Sequence, residues 1–252
     1  MNVGGGGFSG SSSRSRSGSE KIRRLVNRLI RPSRWPTMDF EQAAWQLTYL
    51  CISPRRVYRN VYYHKQTKNT WARDDPAILI IVIGSIGVVS LLWMTFYLRL
   101  YSPLDWIGLS LKMIFRDFLM SGIIVSSLLW AISNKFLTQS NHNYATDQRV
   151  EWFYSFDIHV NSFLPFFLNL YVLQLILVPV ITRDNWLSLW IGNSLYLIAV
   201  IQYAYITYLG YNALPFLIRS ESLLLPILPF LILYVISLLG FNISKNFLDI
   251  YF

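Results

Sequence analysis

The sequence predicts an all-α fold, a polytopic membrane protein with five transmembrane helices and short amphipathic helices on the cytosolic side. Two observations support this prediction. Five long apolar runs follow residue 76, and at about 1.5 Å per residue each is long enough to cross a bilayer. Residues 1–76 carry 14 Lys and Arg against 5 Asp and Glu, whereas the rest of the chain carries eight of each sign. Because Lys and Arg in short flanks stay on the cytosolic side, the basic head sets the topology.

Composition argues against an ordinary soluble domain. Charged residues make up 14% of the chain and aromatic residues 16%, whereas soluble domains carry about 25% charged residues. The single cysteine, Cys51, excludes an intramolecular disulfide. Zinc sites need more Cys and His than this chain offers, so we expect neither a metal nor a cofactor.

The head divides into two regions before the first span. Residues 1–19 are Gly, Ser and Arg with almost no apolar side chains, and we expect them to be disordered. Residues 20–76 form a basic cytosolic region. Within it, apolar residues recur every three or four positions at 20–30 and 38–51, which predicts two interfacial helices too short to cross a bilayer.

The second interfacial helix has a recognisable start and an apolar stripe. Thr37 is the expected N-cap, because its hydroxyl can accept a hydrogen bond from the first turn. Phe40, Ala44, Leu47 and Cys51 fall on one face of the helix, and we expect this face to be the buried one.

The transmembrane domain comprises residues 77–252. The five predicted spans are 77–98, 113–134, 158–181, 186–209 and 222–244. The end of the fourth span is the least constrained boundary, because 185–218 contains no charge. With a cytosolic N-terminus the cytosolic segments hold 17 Lys and Arg and the opposite side holds five, so we expect the C-terminus in the lumen.

Polar side chains inside the spans are costly in hydrocarbon and are therefore the candidate sites. The intramembrane candidates are Arg116, Asp117, Asp157, His159 and Asn161. Adjacent residues on a helix point about 100° apart, so Arg116 and Asp117 are not expected to share a partner. We expect Asp117 to meet an Asn or a Tyr inside the bundle while Arg116 reaches lipid phosphate. Polar contacts between helices, transport and catalysis all stay open as roles for these groups.

Catalytic motifs are missing from the sequence. It contains no phosphate loop, dinucleotide fingerprint, HExxH or GxSxG. An intramembrane enzyme would require Glu151, Asp157 and His159 to converge in a cleft. Asp157 is instead expected near the N-cap of the third span and His159 at the level of the headgroups. We therefore expect a protein that is not an enzyme.

A patch of basic and aromatic residues precedes the first span. We define it as Arg55, Arg56, Arg59, Lys65, Lys68, Trp71 and Arg73, among which lie Tyr58, Tyr62 and Tyr63. Such a patch binds anionic lipid headgroups at a membrane margin or fills a partner's pocket. The same residue types also bind RNA, but the position directly before a span favours the margin.

The chain resembles one family, the Uncoordinated-fifty (Unc-50) proteins. The stretches that carry the resemblance are MDFEQAAWQ at 38–46, SPRRVYRN at 53–60, YHKQTKNTWARDDPA at 63–77, ISNKFL at 132–137, VEWFYSFDIHVNSFLP at 150–165 and YLGYNALPFL at 208–217. Residues 1–37 fit no family pattern.

The resemblance implies a five-helix Golgi protein with a cytosolic N-terminus that acts in vesicle-mediated transport. It further implies recruitment of guanine-nucleotide exchange factors for Arf-type GTPases, and delivery of nicotinic acetylcholine receptors to the cell surface. For some members it also implies RNA binding and a pool in the inner nuclear membrane. The alternative from the residues themselves is a lipid or small-solute transporter that uses the polar groups of helices two to four.

Overall fold

The computed structural model describes residues 38–59, 75–138 and 149–252, together with 23, 27, 31, 35 and 36. The described residues are helical throughout except for turns and one isolated bridge between Thr138 and Leu217, which confirms the all-α prediction. The following predictions lie outside the described residues: the disordered head at 1–19, most of the helix at 20–30, and the patch residues Lys65, Lys68, Trp71 and Arg73.

Seven helices are named here in chain order. They are α1 (Phe40–Ile52), α2 (Ala77–Leu98), α3 (Pro103–Leu137), α4 (Trp152–Ile181), α5 (Trp186–Asn212), α6 (Ser220–Ser237) and α7 (Ile243–Tyr251). Helices α2 to α6 are long and apolar enough to cross a membrane, which confirms five spans. We call the side on which α2 and α4 begin the proximal face, and the side on which they end the distal face.

Helix α1 is joined to the start of α2 through one carboxylate. The N-cap of α1 is Asp39, which accepts from the Gln42 amide at 2.8 Å; the expected cap, Thr37, lies outside the described residues. Asp75 accepts from the Asp39 amide at 2.9 Å and from the Ala77 amide at 3.2 Å. A single side chain therefore satisfies free amides at both helix starts.

The buried face of α1 differs from the predicted stripe. Ala43, Leu47 and Leu50 are buried, whereas Ala44 and Cys51 are exposed. The stripe is rotated because α1 packs against α2 and α4 together, and the groove between two helices selects the face that fits it.

The spans differ from the predicted ranges by more than three residues at three ends. Helix α3 begins at Pro103 rather than 113, because Pro favours the first turn of a helix and Asp105 there suits the helix dipole. Helix α4 begins at Trp152 rather than 158. The run predicted at 222–244 ends as a helix at Ser237 and continues as α7, with Gly240 at φ 138° in the intervening turn.

Helix α4 is the centre of the bundle, packed against α5 along its length and against α3 through Trp152–Phe167. Trp93 of α2 donates its indole N–H to the Tyr171 carbonyl of α4 at 2.8 Å, in a buried position. Wide π-helical turns interrupt α2, α3 and α4, and one of them, Leu168–Leu173, contains this carbonyl. Such turns leave backbone carbonyls available to groups from neighbouring helices.

Glycine sets the closest approach between α3 and α4. A Cβ placed on Gly122 would lie 2.6 Å from Cδ2 of His159, whereas one on Gly84 of α2 meets nothing within 4 Å. We expect Gly122→Ala to destabilise the protein by about 1–3 kcal/mol, the cost of overpacking a tight core. Thermal unfolding in detergent measures the effect, with Gly84→Ala as the matched control. Equal stability of the two variants would contradict the close approach.

Candidate functional site

Three segments distant in sequence meet at the proximal face. Asn134 near the end of α3 brackets the Val150 backbone, donating to its carbonyl at 3.1 Å and accepting from its amide at 2.9 Å. The Ile218 amide donates to the Leu137 carbonyl at 2.8 Å. Tyr154 of α4 donates its hydroxyl to the Gly210 carbonyl of α5 at 2.6 Å. The turn after α5 is thereby joined to the ends of α3 and α4.

An apolar cluster lies beneath these contacts. Its buried members are Leu137, Val150, Tyr154, Ile158, Tyr211, Leu214, Phe216 and Leu223. Gly210 permits the packing, because a Cβ there would lie 2.7 Å from Cγ1 of Ile158. We call the contacts and this cluster the proximal hub.

Helix α1 and the helical residues 54–59 are attached to the same end of the bundle. Asn161 of α4, almost fully buried, donates to the Tyr58 hydroxyl at 3.3 Å and accepts from the Gln46 side chain at 3.4 Å. Arg55 donates its Nε–H to the Tyr205 hydroxyl of α5 at 2.7 Å. The candidate Asn161 is therefore a structural link between the head and the spans.

The described part of the basic and aromatic patch lies at this surface. Arg55, Arg56 and Arg59 are all exposed. The Arg56 guanidinium stands over the Tyr49 ring at 5.5 Å, and Trp45 packs against the same ring at 4.4 Å. Trp45 and Ile52 are themselves exposed apolar side chains, so cations and apolar groups share one surface.

His159 lies inside the bundle rather than at an exposed helix entrance. Its Nε2 donates to the Phe118 carbonyl at 3.2 Å, and in the neutral ring its Nδ1 accepts from the Tyr203 hydroxyl at 2.7 Å. The side chain is buried in the packed core, and its expected depth at the level of the headgroups stays a prediction. Both ring nitrogens are engaged, so His159 joins α3, α4 and α5.

Asp157 occupies the second turn of α4, not an N-cap, since Glu151 is the capping position. Asp157 is partly exposed, whereas His159 is buried. Two positions apart on a helix, they point in different directions. Among the described residues no group of three His, Cys, Asp or Glu is placed to hold a metal ion.

A second polar cluster lies toward the distal face, around Asp117. One carboxylate oxygen accepts from the Tyr171 hydroxyl at 3.0 Å and also from the Tyr251 hydroxyl. The other accepts from Arg116 Nε at 2.6 Å. The expectation that Asp117 meets a Tyr inside the bundle agrees with this geometry. The side chain of Asp117 is 14% exposed and that of Arg116 is 48% exposed.

Arg116 and Asp117 do share a partner, contrary to the expectation from helix geometry. The Arg116 guanidinium lies 4.6 Å from the centre of the Tyr251 ring, and Asp117 accepts a hydrogen bond from the hydroxyl of the same tyrosine. Both residues lie in the π-helical turn Lys112–Met120, whose wider winding changes the angle between adjacent side chains. Lys112 adds a bond to the Tyr251 carbonyl at 2.5 Å.

Tyr251 is one of the residues that sequence reasoning missed. It belongs to α7, outside the spans. Burial and, to a smaller extent, the hydrogen bond to Asp117 raise the pKa of its hydroxyl. The phenol therefore stays protonated and keeps donating. The other missed partners are also tyrosines within or beside apolar runs (Tyr171, Tyr203 and Tyr205). The abundance of Tyr in those runs was the available signal, because a buried phenol needs a polar partner.

Residues 242–244 read Asn-Ile-Ser, an N-glycosylation sequon, and its side chains make structural contacts. The Asn242 side chain caps α7 by accepting from the Lys245 amide at 3.0 Å and donates to the Ile181 carbonyl at 3.1 Å. Ser244 is fully buried. We expect no N-glycan at Asn242 on expression in a glycosylating cell, because neither sequon side chain can reach a transferase in the folded protein. A mobility shift on glycosidase treatment, absent from Asn242→Gln, would contradict this.

The fold and its internal polar contacts define the structural class of the protein. Five apolar helices of spanning length, with polar residues paired between them, form a polytopic helical membrane protein.

Comparison with known proteins gives the family. A model of the UNC-50 family matches residues 25–252, so the expectation that all of residues 1–37 lie outside the family pattern is wrong for 25–37. The GMH1 homolog of Schizosaccharomyces pombe is 44% identical over 217 residues, covering 85% of this chain and 92% of the relative. The unc-50 homologs of Dictyostelium discoideum and Rattus norvegicus are 41% and 43% identical, over 94% and 88% of this chain and 91% and 85% of theirs. No solved structure matches. The chain belongs to the UNC-50 family, as the resemblance predicted.

Proposed function

We propose that this protein is a non-enzymatic scaffold of the Golgi membrane that acts in vesicle-mediated transport. Its proximal face would lie in the cytosol and recruit guanine-nucleotide exchange factors for Arf-type GTPases. Through such recruitment it would support delivery of receptors, of the nicotinic acetylcholine receptor type, to the cell surface. The cytosolic placement rests on the excess of Lys and Arg in segments at this face.

One observation supports the proposal above others. The described parts of the stretches that carry the family resemblance gather at the proximal end of the bundle. They are 38–46, 53–59, 75–77, 132–137, 150–165 and 208–217. Folding brings them together at this end, where Arg55, Arg56 and Arg59 form an exposed surface with Trp45 and Ile52. Arginine and tryptophan are the residue types most often found at binding hot spots.

Pairing of the intramembrane polar groups favours a scaffold over a transporter. A transport path needs polar groups turned toward water, whereas a scaffold can pair them inside the bundle. Asp117, His159 and Asn161 all bond to neighbouring helices. Deeper polar residues do the same: Gln174 donates to Tyr196 at 3.2 Å, and Asn169 to Gln202 at 2.6 Å.

Recruitment can be tested with charge-conserving variants. Arg55→Lys with Arg56→Lys, and the same pair with Trp71→Ala, keep the net charge but remove planar guanidinium groups. We expect exchange-factor recruitment to fall while the protein still reaches the Golgi. Proximity labelling from a tag at the N-terminus, quantified against wild type, measures it.

The matched control separates docking from stability. Tyr205→Phe removes the same internal hydrogen bond that Arg55→Lys weakens, but leaves the guanidinium in place. We expect Tyr205→Phe to recruit normally. If it reproduces the loss, the bond supports the fold and the docking surface is elsewhere. Unchanged recruitment by all arginine variants would contradict the proposal directly.

Topology is tested independently. An N-terminal tag in sealed microsomes should be digested by external protease, because the basic head is expected in the cytosol. Protection of that tag would place the proximal face in the lumen and overturn the proposed function.

A further inference from the structure

A groove of about 430 Å³ lies between α2 and α4 at their distal ends, away from the proximal hub. Its walls are apolar: Leu92, Phe96 and Tyr97 from α2, and Leu175, Ile176 and Pro179 from α4. Phe96 and Ile176 are strongly exposed. Since both walls belong to spanning helices, the groove faces the hydrocarbon of the distal leaflet.

The sequence produces the groove through an irregularity in each wall. In α2 the final turn, Met94–Leu98, is π-helical and wider than an α-helical turn. In α4, Pro179 lies inside the helix. It has no N–H to donate to the Leu175 carbonyl, and its ring bends the helix. The two helices therefore do not close against each other where they leave the bundle.

Two arginines stand at the rim. Arg183 is exposed and donates its Nε–H to the carbonyl of the groove residue Pro179 at 3.2 Å. The terminal nitrogens of its guanidinium group can donate two parallel hydrogen bonds to one phosphate. Arg99 follows the groove residue Tyr97 by two positions and ends α2 in a left-handed conformation, with φ 54°. Arg99 directly follows α2 and Arg183 lies two positions after the end of α4, at the depth of lipid headgroups.

Acidic residues at this rim do not cancel the arginines. Asp184 is paired with Lys245 at 2.6 Å, and this contact lowers the pKa of the carboxyl group. Asp249 of α7 lies near Tyr97. The basic residues at this rim are Arg99, Arg183 and Lys245, and the acidic ones are Asp184 and Asp249.

We propose that this groove binds one glycerophospholipid of the distal leaflet, with an acyl chain between α2 and α4 and the phosphate held by Arg183 and Arg99. The chain supplies an apolar slot for hydrocarbon and cationic donors for phosphate at its mouth. This site is distinct from the proximal patch and from the proposed recruitment function. It would hold α2 and α4 together where Pro179 separates them.

Native mass spectrometry of the purified full chain tests the proposal with two probes. They are palmitoyl-oleoyl phosphatidylcholine and the diacylglycerol with the same chains but no phosphate. We expect one phospholipid per chain, and diacylglycerol bound about tenfold more weakly, the loss expected for charge-assisted phosphate contacts.

Variants assign the site. Arg183→Gln should weaken phospholipid binding about tenfold and leave diacylglycerol binding unchanged. Ile176→Trp should abolish both by filling the slot. The matched control, Ile232→Trp, changes an isoleucine of α6 that is exposed to a similar degree, 58% against 67%, and should change neither.

Several outcomes would overturn the proposal. They are no retained phospholipid, equal binding of the two probes, or equal effects of Ile176→Trp and Ile232→Trp. If Ile176→Trp does not fold, Arg183→Gln decides alone, because its side chain is exposed. The phospholipid should also raise the thermal midpoint of wild type more than that of Arg183→Gln, because a ligand stabilises only the state that binds it.

Discussion

Replacement of Asp117 by leucine is expected to lower the free energy of unfolding by about 2–5 kcal/mol, from three hydrogen bonds at about 0.6–1.7 kcal/mol each inside a membrane bundle. The carboxylate accepts from Tyr171, Tyr251 and Arg116. Leucine offers none of them an acceptor and leaves the two phenols only each other as hydrogen-bond partners in a packed site. The measurement is thermal or denaturant unfolding of the purified protein in detergent.

Two variants show whether the cluster or the charge itself matters. Asp117→Asn keeps one acceptor oxygen and should lose less than Asp117→Leu. Asp105 lies in the first turn of the same helix and is exposed, so Asp105→Leu should be close to neutral. If Asp117→Leu were as stable as Asp105→Leu, the carboxylate would face water instead of anchoring two tyrosines.

Much of the fold could be predicted because membranes impose simple demands. Apolar runs of spanning length mark helices whatever their partners are, and five such helices are present. The start of α3 could not be found from apolarity alone, since Asp105 lies in its first turn. The break between α6 and α7 was missed because Leu238 and Leu239 continue the apolar run through the turn.

The polar clusters were only half predictable. Cost in hydrocarbon identified Asp117, His159 and Asn161, yet their partners come from helices 41 to 134 positions away in the chain. The spacing of residues along one helix cannot predict contacts with distant helices. It also gave a wrong expectation for neighbours on one helix. A regular helix would point Arg116 and Asp117 in different directions, yet both contact Tyr251, because the long Arg116 side chain reaches over its ring while Asp117 accepts from its hydroxyl.

Helix α7 connects the distal contacts to one another. At one end Tyr251 reaches Asp117, and Phe252 next to it stacks on Trp93 of α2 at 4.8 Å. At the other end Ser244 packs against Gly192 of α5, where a Cβ would lie 2.8 Å from its hydroxyl oxygen. The helix therefore lies across the distal ends of several spans, fixed at both of its own ends.

Asn193 of α5 holds the N-terminal end of α7, and Asn193→Leu is expected to cost about 2–5 kcal/mol, again from three hydrogen bonds. Its side chain donates to the Ser237 hydroxyl at 2.8 Å and the Phe241 carbonyl at 2.9 Å, and accepts from the Ile243 amide at 2.8 Å. The residue is fully buried. One amide thus fixes the last residue of α6, the turn and the first residue of α7.

Loss of this contact should loosen α7 selectively. A cysteine at Leu248, a buried residue of α7, reports the change in a Cys51→Ser background that removes the exposed native thiol. We expect maleimide labelling of Leu248→Cys to rise when Asn193→Leu is added. Asn246→Leu is the control, because Asn246 is exposed and makes one local bond, to the Asn242 carbonyl at 2.7 Å.

A double-mutant cycle then shows whether α7 moves as one unit. If Asn193 and Tyr251 hold opposite ends of one rigid helix, release of either end weakens the other contact. Asn193→Leu combined with Tyr251→Phe should then cost less than the sum of the single changes, with a coupling of about 0.5–3 kcal/mol. Strict additivity, with no rise in labelling at position 248, would mean that α7 stays docked through Leu248 and Phe252 alone.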